Sequence, residues 1–487
     1  MKRLQVCNFN MKWTMLPIIV LFNFSFIYSQ SGIINTVVSK CCTRGYYGDG
    51  GPASNAELYN PESMYFDTAG NMLIADMYNN VIRKVDHNTG LISTLVGNGY
   101  GAGKLIGGYT GDGGNASAAE MDFPSGVIVD KTDNIYIFDA ANNAIRKIDT
   151  IGVITTIAGI GPLGQGYSGD GGPATSAELF LNRMVYSSYP KGMVFDNGGN
   201  LYITDAGNNV IRRIAKNTGI ITTLAGNYLL GSGYSGDGGP ATAAELNNPN
   251  GLAIDKNGNL YISDYADNVI REVNLAGVIS TFAGNGYKAG TGLGGYSGDG
   301  GQATVAELWQ PDGLAFDTAG NLYIAETGNM VIREINKMGI INTVAGSNIN
   351  GYSGDGGLAT LAELAYPSGV IFDNSGNLFL AGGNVCCSSI REINYSFNTG
   401  IEKIQTSKIS VYPNPSNGNF NLTLSNIKEN FNVEIFNILG EKVFSRLTID
   451  NEQLSINLGG QPNGIYLYRV LSNNGRLIGE GKIIIQK

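Results

Sequence analysis

The side chains that could bind an ion recur in this sequence at a nearly fixed spacing. A thirteen-residue motif, YSGDGGPATAAEL at residues 234–246, occurs six times, and each copy carries one Asp and one Glu and is followed by one Arg. The copies start at Tyr47, Tyr109, Tyr167, Tyr234, Tyr296 and Tyr352, and the first reads one residue short. The repeated residues are Asp49, Asp112, Asp170, Asp237, Asp299 and Asp355; Glu57, Glu120, Glu178, Glu245, Glu307 and Glu363; and Arg83, Arg146, Arg212, Arg271, Arg333 and Arg391.

Two kinds of chemistry compete for these residues. Six carboxylates on one face could bind calcium, because hard cations prefer oxygen ligands, although the D-x-D-x-D-G spacing of a calcium loop is absent. In the structural interpretation, Gly-Asp-Gly-Gly forms a turn with positive φ, Pro begins a short helix in three copies, and the Asp accepts N–H groups at that helix start. Each Arg could bind an anion, but pairing with an acidic neighbour between sheets is favoured. We expect no cofactor, with calcium at the six Asp residues as the alternative.

Catalytic chemistry has little support in the composition. His87 is the single histidine, which excludes His-based zinc sites and His-dependent triads. Glu62 and Asp312 are expected near one channel mouth, so a carboxylate-dependent extracellular polysaccharide hydrolase or lyase is an alternative. We expect a protein that is not an enzyme.

Positions at which the copies differ are better candidates for a specific binding site. The residues on either side of the Pro that opens each first strand vary, and these positions should surround a channel mouth on the face of the linking segments. Near residue 185 the stretch FLNRMVYSSYP adds an insertion that we expect to overhang this mouth. We predict that a glycan or a protein segment binds here; solvated loop residues are the alternative. The positions are Asn60, Glu62, Phe123, Ser125, Tyr189, Lys191, Asn248, Asn250, Gln310, Asp312, Tyr366 and Ser368.

The elements that position these residues are short strands. Each motif is followed by four apolar runs, such as GLAID, NLYISD, NVIREVN and GVISTFAG, bounded by Gly, Asn or Asp. Four strands with tight turns predict an antiparallel meander, and six meanders packed face to face bury both faces of each sheet. The sequence therefore predicts an all-β fold with a six-bladed β-propeller.

The last repeat lacks a fourth strand, and SGIINTVVS at residues 31–39 matches the missing pattern. We expect this N-terminal strand to complete the sixth sheet and to close the ring. Cys41 and Cys42 follow that strand, and Cys386 and Cys387 begin the third strand of the sixth sheet. We predict at least one disulfide between the two pairs; free or vicinally bonded cysteines are the alternative.

The N-terminus predicts export. Lys2, Arg3 and Lys12 precede a short apolar run at residues 15–28, which indicates a signal peptide (1–29) cleaved after Ser29 rather than a membrane anchor. The net charge of −9 becomes 28 − 40 = −12 without that segment. An acidic chain without a basic cluster argues against binding to nucleic acid, and no membrane span is expected after cleavage.

The repeats resemble the NHL family of propeller repeats. The residues that carry the resemblance are PNGLAID (Pro249 to Asp255), GNLYISD (Gly258 to Asp264) and NVIREV (Asn268 to Val273), and they recur around the array. The added GDGG segment is similar to the teneurin-like variant of the family. The resemblance implies a propeller over residues 30–400. Related lyases use several His residues, so their activities are not implied here.

The C-terminal part resembles the C-terminal sorting domain of the type IX secretion system. The matching pieces are VYPNPSNGNF (Val411 to Phe420), Ile435 to Gly440, GIYLYRV (Gly464 to Val470) and the terminal KIIIQK. Alternating apolar residues predict a small β-sandwich at 407–487, after a linker at 401–406. The resemblance implies passage through the periplasm, handling by the type IX machinery, and a secreted or cell-surface location. We therefore expect an exported binding or scaffold module; a purely structural surface protein is a further alternative.

Overall fold

The protein was analysed as a computed structural model, which describes residues 32–39, 44–181, 189–383, 387–395, 409–424, 431–437, 441–448, 453–472 and 477–487. The predicted signal peptide lies outside the described residues, as do Cys41, Cys42 and Cys386, so the disulfide remains a prediction. The chain divides into two compact units, residues 1–396 and 397–487. No helix in the described ranges is long and apolar enough to cross a membrane.

The first unit is all-β and is built from six antiparallel sheets. Strand β1 (Ile33–Val38) comes first along the chain. Sheet 1 contains β2 (Pro61–Phe66), β3 (Met72–Asp76), β4 (Val81–Val85) and β5 (Ile92–Val96). Sheet 2 contains β6 (Pro124–Val129), β7 (Ile135–Asp139), β8 (Ala144–Ile148) and β9 (Ile154–Ala158). Sheet 3 contains β10 (Met193–Phe195), β11 (Leu201–Asp205), β12 (Val210–Ile214) and β13 (Ile221–Ala225).

The other three sheets follow the same order. Sheet 4 contains β14 (Pro249–Ile254), β15 (Leu260–Asp264), β16 (Val269–Val273) and β17 (Ile279–Ala283). Sheet 5 contains β18 (Pro311–Phe316), β19 (Leu322–Glu326), β20 (Val331–Ile335) and β21 (Ile341–Ala345). Sheet 6 contains β22 (Gly357–Leu358), β23 (Pro367–Phe372), β24 (Leu378–Gly383) and β25 (Ser388–Asn394), and β1 lies between β22 and β25.

The expected closing strand is confirmed. Strand β1 pairs antiparallel with β25, from Ile33 opposite Asn394 to Val38 opposite Ile390. The first strands of successive sheets contact one another in the order β2, β6, β10, β14, β18 and β23, and β23 contacts β2. Apolar side chains of neighbouring sheets share cores; Ile211 and Ala225 of sheet 3, for example, pack with Leu252 and Ile262 of sheet 4. The arrangement is propeller-like, and both faces of the sheets are buried.

The described residues of the first unit also contain ten short 3-10 turns. Six lie in the linking segments: Ala53–Asn55, Ala116–Ala118, Ala174–Ser176, Ala241–Ala243, Ala303–Val305 and Ala359–Leu361. Four connect a second strand to a third: Met77–Asn79, Ala140–Asn142, Ala206–Asn208 and Tyr265–Asp267.

The linking segments differ from the predicted helix in two ways. The helical part is a single 3-10 turn, and Pro52 lies one residue before it at the N-cap rather than at the first helical position. The Asp of the GDGG turn does not cap that turn, because no side-chain hydrogen bond is made there in the Pro-containing copies. Instead, Asp112 Oδ2 accepts the backbone N–H of Thr156 on the fourth strand of the following sheet, at 3.1 Å. The positive φ predicted for the glycines is confirmed, with 93° at Gly111 and 81° at Gly113.

The first copy of the motif begins one residue earlier than the sequence suggested. Arg83 lies 5.3 Å from the ring centroid of Tyr46, and the Tyr46 hydroxyl bonds to Thr94 Oγ1 at 2.8 Å. In the next copy, Tyr109 has the equivalent contacts with Arg146 and Thr156. Tyr46 is therefore the motif tyrosine, Tyr47 occupies the Ser or Thr position, and the first copy has full length.

Each repeated Arg holds its linking segment against its own sheet. Arg83 is fully buried; its Nη2 is 2.7 Å from Asp49 Oδ1 and its Nη1 is 3.5 Å from Asp76 Oδ2 at the end of β3. The guanidinium also donates to the backbone oxygens of Tyr47 and Glu57. The predicted acidic partners are thus confirmed, but they belong to the same repeat rather than to a neighbouring sheet.

The second unit contains two antiparallel sheets that share a core. The first orders its strands as β26 (Ile409–Tyr412), β27 (Asn419–Leu424) and β30 (Gln453–Asn457). The second orders them as β29 (Lys442–Thr448), β28 (Phe431–Asn437), β31 (Gly464–Ser472) and β32 (Leu477–Ile485). Leu422 and Ile456 of the first sheet pack with Val433, Ile435 and Val470 of the second.

Close backbone contact joins the first strands of neighbouring sheets. A Cβ on Gly251 would overlap the carbonyl oxygen of Asp312 in the next sheet, and one on Gly369 would lie 2.9 Å from that of Glu62. Sheet 1 has Ser63 at this position, so the seam between sheets 1 and 2 already accommodates a Cβ.

We predict that Gly251→Ala lowers the free energy of unfolding by about 1–3 kcal/mol, because the new methyl forces the two strands apart. Ser63→Ala is the matched control and should change it by less than about 0.5 kcal/mol. Urea unfolding followed by circular dichroism measures both variants. Equal stability of the two variants would contradict close backbone contact between the first strands of sheets 4 and 5.

Candidate functional site

The varying residues of the predicted mouth are mostly buried near the contacts between first strands. Lys191 and Ser368 are less than a tenth exposed, and the four others that follow the Pro are Glu62, Ser125, Asn250 and Asp312, each 3% exposed or less. Their backbones adjoin across the seams, since Gly192 meets the carbonyl of Asn250 and Gly313 that of Ser368. These six residues, called the inner ring below, are not the solvated loop residues of the alternative interpretation.

Lys191 links three sheets through the inner ring. Its Nζ lies 3.0 Å from Glu62 Oε2 in sheet 1 and 2.8 Å from Asp312 Oδ2 in sheet 5. Burial lowers the pKa of Lys191, but the charges of Asp312 and Glu62 outweigh that effect and leave the pKa raised. The ammonium is therefore protonated, and it partly neutralises two buried carboxylates.

Further hydrogen bonds fix both carboxylates. Asn60 Nδ2 donates to Glu62 Oε1 at 2.7 Å, and Thr327 Oγ1 donates to Asp312 Oδ2 at 3.3 Å. A general acid or base must meet its substrate and exchange a proton with it. Glu62 and Asp312 are instead buried and bound to Lys191, so their geometry does not favour the hydrolase or lyase alternative.

The residues before the Pro form a second set around the inner ring. Asn60, Phe123, Asn248, Gln310 and Tyr366 have positive φ values between 42° and 57°. An Asn of the preceding sheet accepts the N–H of three of them, as Asn80 Oδ1 does from Phe123 and Asn268 Oδ1 from Gln310. Asn60 N donates to Ser388 Oγ instead. Non-Gly residues adopt positive φ infrequently. The surrounding scaffold therefore holds the backbone in this conformation and fixes the position of each Cβ atom.

Sheet 3 departs from this pattern. Leu181, not Tyr189, donates its N–H to the Asn of the preceding sheet, Asn143, at 2.9 Å. The insertion therefore lies between Leu181 and Tyr189, and its residues 182–188 fall outside the described part of the chain. The expectation that it overhangs the mouth remains a prediction.

Aromatic rings from sheets 1, 2 and 3 form a cluster beside the inner ring. Phe123 lies 5.4 Å from Tyr78 and 5.6 Å from Tyr189 between ring centroids, and Tyr59 lies 4.9 Å from Tyr78, all in edge-to-face geometry. Tyr189 is buried, whereas Tyr59, Tyr78 and Phe123 are partly exposed. Burial, followed by the nearby charge of Tyr189 and Glu62, raises the pKa of Tyr78, so its hydroxyl is neutral.

Sequence reasoning identified Phe123 and Tyr189 but missed Tyr59 and Tyr78. Tyr59 lies two residues before Pro61, and Tyr78 lies in the turn after β3. Neither tyrosine therefore occupies one of the two varying positions that flank the Pro. The observation that could have indicated them is that both turns reach the face on which the first strands begin.

A cavity of about 400 Å³ follows the axis of the first unit. All six first strands line it, through Met64, Val127, Met193, Leu252, Leu314 and Val370 among others, and Lys191 also belongs to its lining. The walls carry no further charged side chain.

The geometry of the repeated acids does not favour the alternative calcium site. Each Asp of the GDGG turns has its own buried Arg at 2.6–2.8 Å. Within the described ranges, no group of three or more His, Cys, Asp or Glu side chains is placed to hold a metal ion. His87 lies exposed in the turn after β4.

We predict that Lys191→Met lowers the free energy of unfolding by about 3–5 kcal/mol, because two buried carboxylates lose their cation. Lys84→Met is the control; its ammonium is 3.9 Å from Asp67 and partly exposed, so about 0–1 kcal/mol is expected. Urea unfolding of both variants at pH 7 tests this, and similar losses in the two variants would refute it.

Family models match both units. The teneurin NHL domain model matches residues 107–165, 230–293 and 282–353, and the secretion system C-terminal sorting domain model matches residues 410–486. The chain is 33% identical to human teneurin-4 and 31% identical to mouse teneurin-1, over 47% of this chain in each case. It spans only 8% of the length of these relatives.

Two solved structures resemble the fold of the first unit. One is a structural genomics protein of unknown function from Bacteroides thetaiotaomicron, with a TM-score of 0.51, 16% identity, and coverage of 74% of this chain and 75% of that one. The other is an auxiliary nutrient binding protein from Bacteroides ovatus, with a TM-score of 0.51, 14% identity, and coverage of 74% and 76%. At this identity the likeness concerns the fold alone. The chain therefore carries NHL repeats of the teneurin type and ends in a secretion-system C-terminal sorting domain.

Proposed function

We propose that this protein is an exported recognition module that binds an extracellular glycan or protein segment without catalysing a reaction. The ligand contacts the partly exposed rings of Tyr59, Tyr78 and Phe123, and the inner ring supports them from below. The type IX machinery recognises residues 407–487 and delivers the protein to the cell surface or the medium. Auxiliary nutrient binding by a protein of similar fold is consistent with this role.

The proposal includes the complete architecture. The six sheets are the blades of one closed propeller over residues 30–400, residues 401–406 are a linker, and 407–487 form a β-sandwich. The cyclic contacts of the first strands and the pairing of β1 with β25 support closure. Cleavage after Ser29 and a disulfide between the two cysteine pairs belong to the same proposal.

One observation carries the recognition role: non-repeated side chains gather on one face of a strongly repeated scaffold. Arg, Asp and Tyr recur in every repeat because they hold the linking segments. The inner ring and the aromatic cluster do not recur, and aromatic faces beside polar groups are typical of ligand pockets. A scaffold that binds no ligand would not need non-repeated side chains on this face.

The export role can be tested by deleting residues 407–487. We expect the shortened protein to remain in the periplasm, because the sorting domain is the part that matches secretion substrates. Immunoblots of periplasmic, outer-membrane and culture fractions measure this. Undiminished delivery to the surface or medium would reject the role.

The binding role can be tested with the full exported chain on glycan and peptide arrays. For a ligand found there, Tyr78→Ala and Phe123→Ala should each weaken binding at least about tenfold, since stacking on an aromatic ring contributes about 1–3 kcal/mol. Tyr287→Ala is the matched control, because Tyr287 is 42% exposed and lies in a linking segment of another sheet. Absence of any ligand on both arrays would favour the purely structural alternative. Turnover of a polysaccharide would favour the hydrolase or lyase alternative.

A further inference from the structure

In four of the six repeats, an Asn in the turn after the second strand makes the same two hydrogen bonds. In sheet 1, Asn79 Nδ2 donates to Asp76 Oδ2 at 2.8 Å and to the backbone oxygen of Gly45 at 2.6 Å. The same pair of bonds joins Asn142 to Asp139 and Gly108, Asn208 to Asp205 and Gly166, and Asn329 to Glu326 and Gly295. The amide therefore places a donor between a buried carboxylate and a partly buried carbonyl.

Sheet 4 has no such donor. Asp267 replaces the Asn, and it is only 2% exposed. Its Oδ1 accepts from Asn247 Nδ2 at 3.0 Å, whereas its Oδ2 is buried without a hydrogen-bond partner. The oxygens that the amide would bridge are those of Asp264, the counterpart of Asp76, and of Gly233, which precedes the motif tyrosine as Gly45 does. Arg271 Nη1 lies 3.5 Å from Asp264 Oδ2, as Arg83 Nη1 does from Asp76 Oδ2 in sheet 1, but the donor that the amide adds in the other repeats is missing.

The charges of sheet 4 increase the need for a positive group. Burial, followed by the charge of Asp267, raises the pKa of Asp264 well above its usual value. In sheet 1, by contrast, burial raises the pKa of Asp76 but the amide of Asn79 lowers it. Burial, with a smaller contribution from the charge of Glu245, raises the pKa of Asp267 to about 6. Arg271 is a fixed cation here, and its Nη2 already binds Asp237 at 2.7 Å.

We propose that a hard cation, Ca²⁺ under extracellular conditions, binds among the carboxylates of Asp264 and Asp267 and the backbone oxygen of Gly233. Carboxylate and carbonyl oxygens are the ligands that Ca²⁺ prefers, and flexible geometry lets water complete the shell. The ion would take the place of the amide nitrogen of the other repeats. This site is distinct from the six GDGG carboxylates, each of which has its own Arg. It is also independent of the proposed ligand face.

Thermal unfolding of the full exported chain tests the site. Adding Ca²⁺ to about 100 times its dissociation constant after EDTA treatment should raise the Tm by about 3 °C, as a ligand that binds only the folded state does. Asp267→Asn restores the amide of the other repeats, so it should unfold at least as high as the EDTA-treated parent and show no calcium shift. Isothermal titration should give one Ca²⁺ site in the parent and none in Asp267→Asn.

A matched variant creates the same arrangement elsewhere. Asn208→Asp in sheet 3 should lower the Tm in EDTA, recover with Ca²⁺, and add a second site in titration. Three results would overturn the proposal: no calcium shift in the parent, an equal shift in Asp267→Asn, or stability that changes with pH but not with Ca²⁺. The last result would mean that a proton, rather than a metal ion, occupies the pair. Mg²⁺ is the selectivity control, since it demands stricter octahedral geometry.

Discussion

The first unit depends on a buried guanidinium in each repeat. An Arg taken out of water costs several kcal/mol unless its charge is paired and hydrogen-bonded. In sheets 1 to 5 the paired acids come from two places, the Asp of the GDGG turn and the acid at the end of the second strand, so the Arg meets both only when the linking segment lies against its sheet. Once there, the segment also covers an edge: Gly113 N donates to Ile154 O, and Ile154 N donates to Gly114 O. A fourth strand that would otherwise expose unpaired backbone groups is thereby paired.

The same requirement explains why the motif repeats almost without change while the inner ring does not. Tyr, Gly, Asp and Arg must all be present for the contact to form, and the loss of one leaves a buried charge unpaired. The residues after the Pro also meet residues of other repeats, as Lys191 does with Glu62 and Asp312. Each inner-ring residue is therefore constrained by the ring as a whole, and one residue type cannot serve at all six positions.

Much of the fold could be predicted from the sequence because the residues that identify each strand lie close together along the chain. Short β-branched runs between Gly and Asn residues identify the strands, and the missing fourth strand of the last repeat identifies β1 as its replacement. The errors arose where the partner is distant in sequence. Asp112 at a turn before a short helix suggests a cap, but the Arg that binds it follows 34 residues later. Lys191 binds acids 129 and 121 residues away, and no periodicity indicates which of the twelve mouth residues meet. Tyr59 and Tyr78 were missed for the same reason.

The departures from regularity are concentrated in sheets 1 to 3. Strand β10 has three residues where the other first strands have six, the insertion follows Leu181, and Ser63 replaces the glycine of the other seams. The aromatic cluster draws its rings from these same three sheets. A ring of similar sheets needs no such asymmetry for stability, since each seam repeats the same packing. A ligand that lacks sixfold symmetry does need it, because its groups differ from one side to the other. The location of the irregular residues, more than their chemical types, therefore supports the recognition role proposed for this face of the protein.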